Sequence, residues 1–331
     1  MERFHIRESV LFEDILPEEY LKLSGALKVS RSRMSLQQML DDPPNTIQLI
    51  NKSLEYDKDF DNILQFISKH RQIQINTQPV FHWYIDKTHI SSSCWLLETI
   101  LVKHVISELL QQHGIQTLET DIKKANKLFK SSIQKREELV QVLERWKWKQ
   151  IRNKIIQKEW HMSKINALKA QQHLAMIDVG ISKHAESKTL FIVSQRAIRN
   201  AALAQDQWPC AFNQHTLHIT EALRYLFSSN ILWSQEKYGQ SIYRIKNWLL
   251  QTFDAGPYKN IQEQLSSISF LLSEREKDNE SIYFDKIEAG PVLSECLHLM
   301  NNNEDIPHPM FEDLNQTDEM HKDVSTVESA E

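Results

Sequence analysis

Hydrophobic residues recur at helical spacing along most of the chain, and short polar or proline-containing breaks separate one run from the next. The spacing predicts an all-α fold, with repeating helical hairpins of about 35 residues each that suggest an α-solenoid. A break at DDPPN, residues 41–45, separates two of the N-terminal helices. The predicted helices are Leu16–Leu27, Met34–Leu40, Thr46–His70, Leu118–Val142 continuing through Trp146–Trp160 to about Met176, Ile181–Gln205, Gln214–Leu250 and Asn260–Ser273.

One short segment departs from the helical pattern. Val80, Phe81, Trp83 and Ile85 follow the alternation of an extended strand, so a small extended element is expected near the N-terminal third of the chain. Ser91–Ser93 then offer N-cap oxygens to a long buried helix that is expected to end at Gly114. The apolar or buried positions of that helix are predicted to be Trp95, Leu96, Ile100, Leu101, His104, Val105 and Leu109.

The composition of the chain excludes several classes of function. Hydrophobic residues make up 41% and charged residues 25% of the 331 residues, as in a protein with a true core. With six glycines, none of them in a Gly-x-Gly, a phosphate-binding loop is excluded, and no Gly-x-Ser-x-Gly is present. No apolar stretch is long enough to span a membrane and the N-terminus lacks a signal-peptide core, so a cytoplasmic protein is expected. Cys94, Cys210 and Cys296 are expected to be free, buried thiols.

Histidine pairs are the only candidates for a metal site. His215 and His218 lie at i, i+3 on a predicted helix, and His82 and His89 flank the extended segment. Neither pair has further Cys, Asp or Glu residues at ligand spacing, so surface or half-buried histidines are the simpler interpretation. The sequence predicts no catalytic residue, no metal and no cofactor, and therefore a protein that is not an enzyme.

Charge is distributed unevenly along the chain. Residues 123–170 contain 14 Lys or Arg against four Asp or Glu, whereas residues 303–331 contain nine acidic residues and one Lys. The interpretation is a folded domain over residues 1–298 and a disordered acidic tail over residues 299–331. The basic segment fits either a solvated helix face, an anionic membrane surface or, less well given the net charge of −5, nucleic acid. Its candidate membrane contacts are Lys147, Lys149, Arg152, Lys154 and Lys158.

Two motifs near the C-terminus occur in a defined order. EKYGQSIYRI, residues 236–245, contains Tyr238 and Gly239; EKDNESIYFDKIEAGPVL, residues 276–293, contains Asn279, Ile282 and Tyr283. The simple interpretation is structural: Asp278 and Asn279 end a helix, and the apolar residues that follow are buried. Tyr283 is then expected to be a buried anchor that folds back onto the preceding helices.

These motifs, together with PVFHWYIDKTHISSSCWLLETILVKHVISELLQQHG at residues 79–114, resemble the Bro domain of the Alix-type adaptors. The resemblance covers roughly residues 5–295 and implies a curved solenoid of helical hairpins with a tetratricopeptide-like core. It implies a non-enzymatic adaptor with an exposed apolar groove that receives the amphipathic C-terminal helix of an ESCRT-III filament subunit, recruited from the cytoplasm to an endosomal or plasma membrane. The corresponding residues here are Leu190, Phe191, Ile198 and Leu203; ordinary inter-helix core is the alternative.

Within that family, the layout is most similar to the fungal PalC-type regulators of ambient-pH (Rim/Pal) signalling. This similarity implies further partners, namely a calpain-like protease and other components of the pH pathway. Phe284 and the Ile287-Glu288 pair depart from the pattern of the wider family. Two alternatives stay open: a factor in multivesicular-body sorting, and a helical scaffold that binds anionic membrane through residues 123–170.

Overall fold

The computed structural model describes residues 4–7, 10–42, 45–70, 72–73, 75–85, 88–145, 153–248 and 254–289. Over these residues the fold is all-α with one small antiparallel sheet, as the sequence predicts. The chain divides into two compact units. Among the described residues, the first unit takes in 4–113 and 130–158, and the second takes in 114–129 and 159–289.

The first unit begins with three strands and four helices before its long central helix. Its elements are β1 Phe4–Ile6, α1 Phe12–Ile15, α2 Glu18–Ser24, α3 Ala26–Asp41, α4 Thr46–Lys69, β2 Phe81–Ile85, β3 Thr88–Ser92, α5 Trp95–Thr117 and α6 Ile122–Arg145. A 3-10 turn follows at Lys154–Ile156. The turn between α5 and α6 belongs to the second unit.

The predicted extended element is the central strand of a three-stranded antiparallel sheet with the order β1-β2-β3. Phe81, Trp83 and Ile85 point to the buried face, as their alternation predicts, whereas Val80 precedes the strand and is exposed. Phe81 meets the rings of Phe60 and Trp95, so the sheet packs on α4 and the start of α5. Burial of these large apolar side chains drives the packing of the sheet onto the helices.

A fully buried carboxylate joins the sheet to three helices of the first unit. Glu98 on α5 accepts hydrogen bonds from Trp83 Nε1 at 2.5 Å, Tyr56 Oη at 2.8 Å and Arg33 Nε at 3.1 Å. Glu98 and Arg33 are both completely buried. A buried charge is tolerated only when it is paired and hydrogen-bonded, and these donors meet that condition.

A second buried cation lies further along α5. Lys103 Nζ contacts both carboxylate oxygens of Asp57, at 2.9 and 3.1 Å, and Asp61 Oδ2 at 3.3 Å. Burial lowers the pKa of Lys103, but the two carboxylates outweigh burial and raise that pKa above its ordinary value. The ammonium group therefore stays charged and ties α5 to α4.

The second unit consists of helices connected by short turns. Its elements are α7 Lys158–Ser182, α8 Ser187–Gln207, α9 Ala211–Ser234, α10 Tyr238–Trp248, α11 Lys259–Ser266, α12 Ile268–Asp278 and a single π-helical turn at Asn279–Tyr283. Asn213 at the start of α9 donates to Ser163 Oγ on α7 and to the Ala204 carbonyl on α8, at 2.9 and 3.1 Å. This buried amide fixes one end of the three-helix packing.

Several predicted helix boundaries are wrong. The run predicted from Leu118 to about Met176 is broken, because Asn153 and Gln157 are extended around the 3-10 turn. The predicted helix Gln214–Leu250 is two helices, separated at Glu236, whose φ is 61°. The predicted helix Asn260–Ser273 likewise divides at Ser267. Helical periodicity continues across such short breaks, so the spacing of apolar residues does not reveal them.

Gly114 does not end its helix, which continues to Thr117. A Cβ at Gly114 would lie 2.6 Å from Cε1 of the Phe129 ring on α6. The glycine therefore allows close packing of that ring, and does not serve as a C-cap. A further correction concerns the cysteines: Cys94 is half-buried and Cys210 is exposed, although both are free as predicted, while Cys296 lies outside the described residues.

Candidate partner-binding surfaces

The four predicted groove residues do not share one environment on α8. Leu190 and Phe191 are 4% and 5% exposed, so they belong to the core of the second unit. Ile198 is half-buried and Leu203 is 40% exposed. The part of the predicted set that a partner can reach is therefore limited to Ile198 and Leu203.

Ile198 and Leu203 also point in different directions. At 3.6 residues per turn, five positions correspond to a rotation of about 140° around the helix axis. The residues of α8 that share the direction of Leu203, within about 40°, are Thr189, Ile192, Arg196, Arg199 and Gln207. Arg199 is exposed, and the other four are half-buried. The accessible face of α8 thus combines apolar and cationic side chains.

The neighbouring helix α7 continues this face. Asn200 Nδ2 on α8 lies 3.4 Å from Nδ1 of His173 on α7, and that ring nitrogen also lies 2.7 Å from the Lys169 carbonyl oxygen. Lys169 and His173 are four residues apart and therefore lie on the same side of α7. We call the surface formed by Lys169, His173, Ile192, Arg196, Arg199 and Leu203 the α7–α8 face.

The electrostatics of this face are positive. Burial lowers the pKa of His173 from 6.5 to about 4, and the charges of Arg196 and Lys169 lower it further, against the hydrogen bond to the Lys169 carbonyl. The imidazole is therefore neutral at pH 7 and is surrounded by cations. Such a face favours a ligand that carries both apolar and acidic groups.

The two C-terminal motifs meet in the structure. The ring of Tyr283 stacks on that of Tyr238, with centroids 3.6 Å apart. The Gly239 N–H donates to Asp285 Oδ2 at 2.8 Å, and a Cβ at Gly239 would lie 2.0 Å from the Lys286 carbonyl oxygen. Only glycine permits this approach of the returning backbone to the start of α10.

Asn279 holds the return itself. This side chain, which is buried, donates to the Asp285 carbonyl at 2.8 Å and accepts from the Asp285 N–H at 3.0 Å. α12 ends at Asp278, but the helical backbone continues directly into the π-helical turn at Asn279–Tyr283, so the prediction that Asp278 and Asn279 end the helix is wrong. The prediction that the next residues are buried is wrong: Ile282 is 61% and Tyr283 is 39% exposed. Phe284 follows the π-helical turn with a φ of 54° and is itself 75% exposed.

A buried arginine next to these motifs donates to neutral side-chain acceptors. Arg275 donates to Ser229 Oγ, Ser241 Oγ and Asn230 Oδ1, at 2.6, 2.9 and 2.7 Å, and its guanidinium lies 4.8 Å from the Trp233 ring centroid. Burial lowers the pKa of Arg275 to about 10. These neutral acceptors bind α12 to α9 and α10, which makes Arg275 a structural residue that the sequence analysis missed.

The predicted membrane contacts are only partly described. Lys147, Lys149 and Arg152 lie outside the described residues. Lys154 is exposed, and Lys158 is exposed and forms an ion pair with Glu144 at 2.5 Å. Within the described residues, every helix is too short or too polar to cross a lipid bilayer. Over the same part of the chain, no group of three or more His, Cys, Asp or Glu side chains is arranged to hold a metal ion.

Comparisons with known proteins find likeness at the level of structure. No protein-family model and no curated protein sequence matches the chain. A crystal structure of ALIX in complex with the SIVmac239 PYKEVTEDL late domain superimposes with a TM-score of 0.71 at 15% identity, covering 87% of this chain and 46% of the ALIX chain. This chain therefore spans less than half the length of that ALIX chain.

Two further structures consist mostly of the matched region. A complex of the ALIX Bro1 domain with CHMP4C gives a TM-score of 0.69 at 15% identity and covers 86% of this chain and 88% of the matched one. A structure that describes the basis for endosomal targeting by the Bro1 domain gives 0.61 at 14% identity and covers 89% of each. The two units described above thus have the all-α fold of the Bro1 domain.

Proposed function

We propose that this protein is a non-enzymatic adaptor that binds the C-terminal helix of an ESCRT-III filament subunit through the α7–α8 face. The observation that carries the proposal is the accessible stripe of α8, where Ile192 and Leu203 lie among Arg196 and Arg199. An amphipathic helix fits such a surface, because its apolar residues bury against the aliphatic side chains and its acidic residues meet the cations.

The fold supports the same proposal. The ALIX Bro1 domain, whose fold the chain shares, forms a complex with CHMP4C, and a second Bro1 domain has a role in endosomal targeting. We infer recruitment of this protein to an endosomal membrane by its partner. Ambient-pH signalling, with a calpain-like protease as a further partner, is a finer proposal that rests on the sequence resemblance.

The site can be tested by measuring the affinity of the protein for a synthetic peptide with the sequence of the C-terminal helix of an ESCRT-III subunit. Leu203→Asp removes an apolar contact and adds a charge that opposes acidic residues of the partner. Burial of a leucine-sized side chain contributes about 1.5–3 kcal/mol, so we expect at least tenfold weaker binding. Leu23→Asp, at a 74% exposed apolar position of the first unit, is the matched control and is expected to bind as the parent does.

A second variant separates the revised surface from the one predicted by sequence. Ile198→Asp changes a half-buried residue on a different side of α8 from Leu203. If Leu203→Asp binds like the parent while a folded Ile198→Asp protein loses binding, the partner lies on the other side of α8. If neither variant affects binding of any ESCRT-III peptide, the proposed function is wrong.

The cellular role requires a separate experiment. Replacing the gene with the Leu203→Asp variant is expected to impair growth at alkaline pH while endosomal cargo sorting continues. A sorting defect without a pH phenotype would instead support the multivesicular-body role. Binding of the parent chain to anionic vesicles, lost when residues 147–158 are neutralised, would support the membrane-scaffold alternative.

A further inference from the structure

The exposed face of the sheet brings together two histidines that are seven residues apart in the sequence. In the β2–β3 register, His82 lies opposite Ser91 and Tyr84 lies opposite His89. His82 and His89 are therefore diagonal neighbours on the face opposite Phe81, Trp83 and Ile85. His82 is half-buried and His89 is exposed, so both rings are reachable from solvent.

The geometry of the pair is specific. His82 Nδ1 lies 3.2 Å from His89 Nε2, and the two rings are nearly parallel, with an interplanar angle of 4°. Two ring nitrogens this close share a single proton, because one must donate and the other accept. Binding of a dication to both nitrogens requires that proton to move to the other nitrogen of its own ring, so that both imidazoles stay neutral.

Neighbouring side chains hold the pair in position. The Tyr84 ring stacks on the His89 ring with centroids 4.6 Å apart. Arg7, the residue that follows β1, in turn donates from its Nη1 to Tyr84 Oη at 2.9 Å. Contacts that orient the ring of a ligating histidine are a common feature of metal sites, since they reduce the cost of ordering the ligand.

We propose that His82 and His89 form a two-histidine site for a borderline transition-metal dication, with Zn²⁺ as its representative. Metal–nitrogen bonds of about 2.0–2.1 Å and the observed nitrogen separation give an N–Zn–N angle of about 100°, near the tetrahedral value. Because the ring centroids are 5.5 Å apart, the two nitrogens face each other head-on, and each ring must turn by about 40° to direct its lone pair at the ion. Water or a partner's side chain completes the coordination, so the site is open.

Among the residues that the structure describes, no third His, Cys, Asp or Glu joins the pair, and this defines the chemical class of the metal. Two neutral imidazoles suit Zn²⁺, Cu²⁺ or Ni²⁺, whereas Ca²⁺ and Mg²⁺ require oxygen ligands. His5, the remaining histidine of this sheet face, lies opposite Tyr84 on β1 and contacts Asp41 Oδ1 at 3.1 Å. Tyr84 separates His5 from His89, so His5 provides a control on the same face.

The experiment is a titration of the full-length protein with ZnCl₂, followed by isothermal calorimetry at pH 7.5. We expect His82→Gln and His89→Gln each to abolish one binding event or weaken it at least tenfold, while His5→Gln retains it. Cobalt substitution, with visible absorption in the parent and none in the two variants, provides a second readout.

Either of two results would overturn the proposal. Equal zinc binding by the parent and both variants would place the metal elsewhere on the chain. The lack of any binding event in the parent would show that the two histidines form a hydrogen-bonded pair only. Circular dichroism of each variant confirms that a loss of zinc binding does not reflect unfolding.

Discussion

The ring of Tyr283 lies flat on the ring of Tyr238, with centroids 3.6 Å apart and an interplanar angle of 12°. Trp233 meets both rings edge-on, at 4.9 and 5.8 Å. Because Tyr283 is 39% exposed, this aromatic cluster covers the surface of the second unit and is not part of its core. The segment after α12 is therefore held by a surface stack and by backbone contacts at Gly239.

The first prediction concerns the strength of this stack. An aromatic pair contributes about 0.5–1.5 kcal/mol beyond the area it buries. We expect Tyr283→Ala to lower the free energy of unfolding by about 1–2 kcal/mol, below the 3–5 kcal/mol typical of a buried aromatic residue. Phe227→Ala, at a buried position of α9, is the control that should show the larger loss in urea unfolding. Equal losses would mean that Tyr283 is a core residue.

The sequence predicted the parts of the fold that depend on local periodicity. Phe81, Trp83 and Ile85 alternate, and the strand forms as expected because one face of a strand is buried. Leu190 and Phe191 were expected on a groove but lie in the core, since apolar character alone does not indicate which face of α8 meets a partner. Ile192 lies on the accessible face and was not selected from the sequence.

Other features depend on contacts between distant segments, which a single sequence does not show. Glu98 is buried because its three donors come from α3, α4 and β2, and none of them is near it in sequence. Ile282 is exposed on the π-helical turn, and Phe284 after it adopts a positive φ that phenylalanine rarely adopts; neither feature follows from the apolar character of these residues. The His82–His89 contact likewise requires the β2–β3 register.

The second prediction concerns Gly239. Gly239→Ala places a Cβ against the Lys286 backbone, so the returning segment must move away. We expect faster amide hydrogen exchange and proteolysis across residues 279–289, with a change in stability larger than that of Asp285→Ala. The latter variant removes the hydrogen bond to the Gly239 N–H without a steric clash. If Gly239→Ala lowers the stability less than Asp285→Ala does, the close approach of the returning backbone to Gly239 does not contribute to stability.

The third prediction separates core from surface on α8. Leu190→Ala is expected to cost about 2–5 kcal/mol, because truncation of a buried leucine leaves a cavity. Leu203→Ala is expected to change stability by no more than about 0.5 kcal/mol, as at other exposed positions. Thermal unfolding of both proteins measures the difference. A large loss for Leu203→Ala would mean that Leu203 supports the fold.

The fourth prediction concerns the C-terminal residues 299–331, which lie outside the described residues. Their acidic and polar composition does not supply enough apolar surface to offset the entropy of ordering. Limited proteolysis is expected to remove them and leave a folded fragment near residues 1–298. A chain that ends at Met300 should unfold at the temperature of the parent and bind the same ESCRT-III peptide. Loss of either property would show that these residues pack on the folded part.

The last prediction follows from the lowered pKa of His173, which is about 4 in the folded protein and about 6.5 in the unfolded chain. Between these values the unfolded chain binds more protons than the folded protein, so stability falls as the pH decreases through this range. Each pKa unit corresponds to about 1.36 kcal/mol of free energy of unfolding. The contribution of His173 to this free energy is complete well above pH 6.5, and about 2 kcal/mol of it is lost by pH 5. Urea unfolding at pH 7.5 and pH 5 measures the change.

His173→Gln provides the comparison, because glutamine retains hydrogen-bonding capacity beside the Lys169 carbonyl and does not titrate. Other groups also titrate between pH 5 and 7.5, and they contribute equally to both proteins. The difference between the parent and the variant in their loss of stability therefore isolates the imidazole. If the two proteins lose the same free energy over this range, His173 is readily protonated in the folded state, and the cations of the α7–α8 face do not enclose it as the contacts indicate.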